Sequence, residues 1–350
     1  MAYTHSNTTV ISDAPVTVSF PTSISISEGS FTIASSDAFQ GTVAGYIAAG
    51  YDPGSSPGGA HNVIQKYSFA SDGNGTQVGA ITRSTRDGGG TSSATHGYHL
   101  GGFSGTPTYG NITKFPFATG NVAEVVGQML GWSHGLDVSS SIPYGFAITY
   151  GGQGGATPIT NPGGWHNRAK KVLFATDADV TLMTSVTPTY QGFGPGISGV
   201  THGYIAGGQT SVPTIISNIY KYPFASDTNT TSVGTLVAVN VHGAGQSSTT
   251  HGYHSGGSPT GGAGAIVATI QKWPFATDTN ATSIGQLTVG RYSGIPSSSS
   301  TVSGYTAGGA ISSPGGTKVI DKFPFSSDTN ATSVGQLDRV THNNMMQIQD

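Results

Sequence analysis

The chain has 350 residues, of which only 8% are charged, with a net charge of −3 and no cysteine; an average soluble domain carries about 25% charged residues. This composition excludes a disulfide framework, a thiolate nucleophile and a cysteine metal site. It also lacks the concentrated basic patch that a nucleic-acid partner requires.

The N-terminus, Met1 to Asn7, has neither a basic n-region nor an apolar h-region, so no secretory signal is expected. No apolar run approaches the ~20 residues that span a bilayer. Within residues 1–40, Val16, Val18 and Phe20 alternate with polar residues, as do Ile24 and Ile26, then Phe31 and Ile33. Period-2 alternation predicts short strands, broken at Pro21 and at Glu28-Gly29-Ser30. This stretch reads as an arm that either packs on the rest of the chain or attaches it to a larger assembly.

From residue 41 to 350 one text recurs. Its lysine stands at Lys66, Lys114, Lys171, Lys221, Lys272 and Lys322, with spacings of 48, 57, 50, 51 and 50 residues. A period of that size signals a repeat architecture. Each copy has four parts. A small-residue run comes first, such as Gly245 to Thr250. A Gly-Tyr strand ending in a glycine pair follows, such as Gly252-Tyr253-His254-Ser255-Gly256-Gly257. Next comes a Lys-aromatic segment, such as Ile270-Gln271-Lys272-Trp273-Pro274-Phe275, then the turn Asp278-Thr279-Asn280 and the segment Ser283-Ile284-Gly285-Gln286-Leu287. Four short strands separated by turn signals make one small antiparallel sheet. Such a sheet cannot bury both faces alone. Six arranged radially bury their faces on one another and leave no long edges. The prediction is an all-β, six-bladed β-propeller of four-stranded antiparallel blades with almost no helix. Two segments compete for the innermost strand of blade 1: the C-terminal stretch His342 to Gln349, and Phe39 to Val43.

The strand ending in Gly-Gly, the aromatic strand, the Asp/Thr/Asn turn and the leucine about eight residues later resemble kelch-type propellers. The resemblance covers roughly residues 40–350. One departure is the missing tryptophan of the last kelch strand, where Val78, Val126, Val233, Ile284 and Val334 stand instead. The Pro-Phe-Ala-Ser/Thr-Asp-Thr-Asn text is also similar to repeat proteins of marine bacteriophages. The kelch resemblance fixes fold rather than function, since this fold hosts enzymes, adhesins and scaffolds. Galactose oxidase is one such enzyme, and its copper site resembles one built on a cross-linked cysteine, which this chain lacks.

Several motifs invite chemistry. The turns at Asp72, Asp177, Asp227, Asp278 and Asp328 space oxygens as calcium loops do, but supply too few carboxylates. They read as turns whose Asp and Asn bond their own backbone. Asn7, Asn74, Asn111, Asn229, Asn280 and Asn330 stand in glycosylation sequons and read as turn residues for the same reason. His96, His202 and His251 precede Gly-Tyr strands and read as structural caps rather than metal ligands. The repeated lysines read as solvent or blade-interface residues with their stems on aromatic surface. The aromatics at Phe69, Phe117, Phe174, Phe224, Phe275 and Phe325 read as packing between blades.

Blade 3 is the irregular copy, with the longest spacing and no proline after Lys171-Val172-Leu173. Trp132, His134, Trp165, His166, Asn167 and Arg168 cluster there in sequence and form the candidate ligand site, suited to stacking on a sugar ring and bonding its hydroxyls. No catalytic residue, metal site or cofactor is assigned: the chain has no nucleophile elbow, phosphate loop or distinctive carboxylate pair.

The function expected from these features is a non-enzymatic structural or binding component of a phage particle, located in the virion: a tail fibre, tail tip or capsid-surface protein. Its expected partners are other virion proteins, through the 1–40 arm, and cell-surface glycans. It would act as a homo-oligomer within the assembly, with no nucleic acid and no membrane span. The alternatives are a secreted or surface carbohydrate-active enzyme on a kelch-type propeller and a pure protein–protein scaffold.

Overall fold

A computed structural model describes residues 40–54, 59–103, 110–119, 123–129, 134–141, 144–150, 168–185, 191–210, 214–312 and 315–350 apart from residue 344. The predicted arm, up to residue 39, lies outside the described residues. The repeat body is a six-bladed, all-β propeller. Blades 3 to 6 are sequential four-stranded meanders. Blade 5 shows the pattern, running from the axis outward as Ala244–Ser247, His251–Ser255, Thr269–Pro274 and Thr282–Gln286, each pair antiparallel. Among the described residues the only helical segment is the short 3-10 turn Ala263–Ala265.

The ring is closed by the C-terminal tail. Ile348–Gln349 forms the innermost strand of blade 1, antiparallel to Ala44–Tyr51. Just before it, Met345–Met346 pairs parallel with Gly89–Ser92, the innermost strand of blade 2. The competing N-terminal segment has a different place: Gly41 bridges Ser300 of blade 6, and the amides of Thr42 and Val43 both donate to the Asp350 carbonyl.

Two ends of the ring follow from the meander. The turns joining first to second and third to fourth strands lie on one face, called lower here. The loops joining second to third strands, and each blade to the next, lie on the upper face.

Packing between blades repeats one device. The aromatic of each second strand stacks on the phenylalanine after the next blade's third strand. The six pairs are Tyr46–Phe117, Tyr98–Phe174, Phe146–Phe224, Tyr204–Phe275, Tyr253–Phe325 and Tyr305–Phe69. Their centroids are 4.6–4.8 Å apart at 21–29°. Such pairs contribute about 0.5–1.5 kcal/mol each beyond area burial. This confirms the packing role read for these phenylalanines.

The Asp-X-Asn turns do not mainly serve themselves. Their first carboxylate takes the lysine of the preceding blade: Lys114–Asp177 at 2.6 Å, Lys221–Asp278 at 2.9 Å, Lys272–Asp328 at 2.5 Å and Lys322–Asp72 at 3.0 Å. Their third residue accepts a backbone N–H from that same blade, as Asn280 does from Thr235, Asn330 from Gln286 and Asn74 from Gln336, each at 3.0 Å. The glycine of Ser-Val-Gly makes room for this approach. A Cβ on Gly234 would stand 2.7 Å from the Thr279 carbonyl oxygen, and one on Gly127 2.5 Å from that of Ala178. The turns are therefore clamps between blades.

Candidate binding faces

The axis of the ring is packed rather than open. At the lower end of each innermost strand stands a small polar residue or the tail's glutamine: Ser92, Ser140, Ser198, Ser247, Ser299 and Gln349, all buried. They bond around the axis. The Ser140 amide donates to Ser198 Oγ at 2.8 Å, that of Ser247 to Ser299 Oγ at 2.9 Å, that of Ser299 to Gln349 Oε1 at 3.3 Å, and that of Gln349 to Ser92 Oγ at 3.2 Å. Gln347 spans the centre. Its Nε2 donates to the Gly245 carbonyl of blade 5 at 3.2 Å, while its Oε1 accepts from Ser198 of blade 4 at 3.3 Å. Above this plug is a shallow depression of about 10 Å³, room for about one water, lined by Val138, Pro195, Gly243, Ile295, Met346 and Gln347 among others. Sequence reading missed this plug, since a lone glutamine in a tail gives no periodic signal.

The lower face carries the repeated histidines. Thr95, Thr201 and Thr250 each place Oγ1 at 2.8 Å from Nδ1 of the next residue, His96, His202 and His251. Burial lowers each imidazole's pKa, and Lys114, Lys221 and Lys272 respectively add to that, while Asp177, Asp278 and Asp328 oppose it. These residues are strand-end features bonded to a neighbouring hydroxyl. No group of three metal-ligating side chains forms among the described residues.

A second set of histidines lies toward the upper face and is buried. His61, His99 and His254 are 4%, 1% and 0% exposed, and burial pushes each down to about 4. His99 Nε2 meets Thr85 Oγ1 at 3.2 Å and His61 Nε2 meets Thr341 Oγ1 at 3.3 Å. Neither ring nitrogen of His254 has a hydrogen-bonding partner in another described residue.

Of the blade-3 candidates, Trp132, Trp165, His166 and Asn167 lie outside the described residues, as do the side chains of His134 and Arg168. The backbone still places the last two. His134–Ser140 is the innermost strand of blade 3, and Arg168–Leu173 is its third. Both strands begin at the upper face, flanking Tyr144–Tyr150, whose Tyr150 is opposite His134 and whose Ile148 is opposite Ala169. Two strand spacings put them roughly 10 Å apart. In the same third strand, Lys170 is buried, and burial lowers its ammonium pKa to about 7. It stands where blades 1, 5 and 6 have Gln65, Gln271 and Asp321.

Blade 6 uses that place for a buried ion pair. Arg291 and Asp321 are both 0% exposed, 2.5 Å apart, with Arg291 also donating to the Gly308 and Val319 carbonyls. Asp321 further accepts from the Thr288 amide and hydroxyl at 3.0 and 2.6 Å. A buried pair survives only when its remaining bonds are satisfied in this way.

Comparison with known proteins finds no family model that matches the chain and no curated protein similar to it.

Proposed function

We propose that this chain is a non-enzymatic display module of a phage particle, a tail-fibre, tail-tip or capsid-surface component. In this reading residues 1–40 attach to other virion proteins, and the upper face of the propeller recognises cell-surface glycans or other particle proteins. The observation that carries it is where the chain joins the ring. Gln40 Nε2 donates to the Ser247 carbonyl at 2.8 Å and the Gly41 amide to the Ser299 carbonyl at 2.8 Å, both on innermost strands. Gln40 and Gly41 thus meet the innermost strands of blades 5 and 6 at the lower face, and in this reading the arm is anchored from that side. The irregular blade 3 starts its His134 and Arg168 strands at the upper face. Loops on a rigid ring suit recognition. Identical copies on one particle would add weak sites through effective concentration.

The experiment is cryo-electron microscopy of particles carrying this chain, with residues 1–40 traced. The expected result is an arm docked on a neighbouring subunit with the upper face outward. A free monomer whose arm folds on its own ring contradicts the proposal.

A further inference from the structure

The ring is held shut by little strand pairing. Ile348–Gln349 meets Gly45 and Tyr46 of blade 1, and Met345–Met346 meets Gly89 and Gly90 of blade 2, two residues in each case. In blade 5 the innermost strand pairs along four residues, Ala244 to Ser247. Closure therefore depends on the stretch that delivers the tail, Arg339 to Asn343, where it crosses from blade 6 onto blade 1. The Arg339 amide donates to Gln65 Oε1 at 3.0 Å, and Gln65 Nε2 donates to Thr341 Oγ1 at 2.9 Å. Tyr51 and His342 exchange backbone bonds, at 2.9 Å from the Tyr51 amide and 3.2 Å from the His342 amide.

Two buried histidines face each other in this seam. His61 belongs to the third strand of blade 1, and its Nε2 meets Thr341 Oγ1 at 3.3 Å. His342 stands on the tail's side, edge-on to Tyr51 at 5.1 Å. Its Nδ1 meets Asn343 Oδ1 at 3.0 Å, and its Nε2 is buried with no hydrogen-bonding partner among the described residues. The charged groups acting on His61 are Arg339 and Asp52, besides the Val340 backbone and His342 itself. Those acting on His342 are Arg86 and the same Asp52. Asp87 lies beside Arg86, at 3.6 Å. From blade 6, Gly316 packs on the His342 ring and brings no charge. Two arginines and one shared aspartate thus surround two neutral imidazoles. A proton on either ring would be buried beside an arginine, and two protons would share one facing carboxylate. His99 and His254 lie instead on the second strands of blades 2 and 5.

Burial lowers His61 to about 4, with Arg339 adding to the fall, and burial lowers His342 as well. An exposed histidine titrates near 6.5. The open seam then binds protons that the closed seam does not, so the closed state is fully favoured above that value and loses ground below it. Opening gains up to about tenfold per pH unit for each ring, until the closed-seam value is reached.

We propose that the seam between blades 6 and 1 is an acid-released latch. Protonating His61 and His342 frees the tail from blades 1 and 2 while blades 3 to 6 stay folded. Release uncovers the inner edges of Ala44–Tyr51 and Gly89–Ser92 and withdraws Gln347 and Gln349 from the axis. A segment held by few bonds is where a protein opens below the cost of global unfolding, and histidine charge is a common trigger. The device is independent of what the propeller recognises.

The test is hydrogen exchange read by mass spectrometry on the full-length chain at pH 7 and pH 5, with rates corrected for intrinsic exchange. Protection of the 342–350 and 44–51 peptides should fall tenfold or more at pH 5. It should also lie at least tenfold below that of Thr269–Pro274 in blade 5. The double variant His61→Gln, His342→Gln should lose this acid dependence at the seam, whereas His99→Gln should keep it. Unchanged seam protection between the two pH values overturns the proposal. So does loss of protection at the seam and in blade 5 to the same level, which marks one global event. Acid dependence that persists in the folded double variant overturns the role of these two rings. If the double variant does not fold, the single variants replace it, each expected to remove about half of the dependence on a logarithmic scale, and no change in either overturns the latch.

Discussion

The two faces of the propeller are built on different rules. On the lower face one solution recurs: lysine to the next blade's aspartate, asparagine or aspartate to the preceding blade's amide, and threonine to histidine. On the upper face the equivalent positions differ from blade to blade: the left-handed residues just before the innermost strands are Asp87, Phe193, His242, Ser293 and Asn343. The difference teaches where to look for function in an internally repeated chain. Residues that recur at each junction hold the blades together. Residues whose chemistry differs from blade to blade at equivalent places are not set by that shared requirement.

The largest expected effect tests the histidines that separate the faces. His61, His99, His242 and His254 are held near 4, whereas an unfolded histidine titrates near 6.5. Between these values the unfolded state binds protons that the native state does not, so stability falls as pH falls from about 6.5 to 4. Each such group removes about 1.4 kcal/mol per pH unit in that window. Denaturant unfolding across pH 7 to 4 should show this steep loss. Replacing His99 and His254 together, by Leu and Ile, should flatten it, while glutamine at His96, His202 and His251 should change the slope far less. Equal flattening by both sets would erase the contrast between the faces.

A smaller effect is expected from Gly335→Ala. The new Cβ would fall on the backbone of Gly73 in blade 1, and overpacking of this kind costs about 1–3 kcal/mol. Thermal unfolding should register it, and an unchanged melting temperature would mean that the turns do not clamp the blades. The smallest is Asp328→Ala. Its ion pair with Lys272 is about half exposed on the aspartate side, at 53%, so the loss should stay under about 1 kcal/mol and shrink further in high salt. A loss of several kcal/mol would move the ring's stability from packing to charge.

The architecture is legible in the sequence because the repeat carries its packing with it. Tyr253 and Phe325 recur at fixed offsets, as do Lys272 and Asp328, so strand count and blade count can be read directly. The partner of each motif is harder to see. Asp278 lies 57 positions from Lys221 yet meets it across a junction, and only the closed ring makes those two neighbours. The turns therefore read as self-bonded in the sequence. Ring closure leaves two segments in contest because both are short and polar, and the tail's pairing with blades 1 and 2 decides it. The left-handed residues before the innermost strands show in the sequence only as X-Gly pairs, absent at Asn343-Asn344, and such pairs are shared with ordinary turns. The blade-3 candidates stand out by irregularity alone. The backbone brings His134 and Arg168 to one face, and Trp132, Trp165, His166 and Asn167 lie outside the described residues.

One measurement addresses how the blades are held directly: the melting temperature of Gly335→Ala beside that of Asp328→Ala. The expected result is a clearly lower melting temperature for the first variant, whose new Cβ meets the Gly73 backbone, and a nearly unchanged one for the second. The reverse order would contradict the view that close backbone approach, rather than surface charge, holds the blades together.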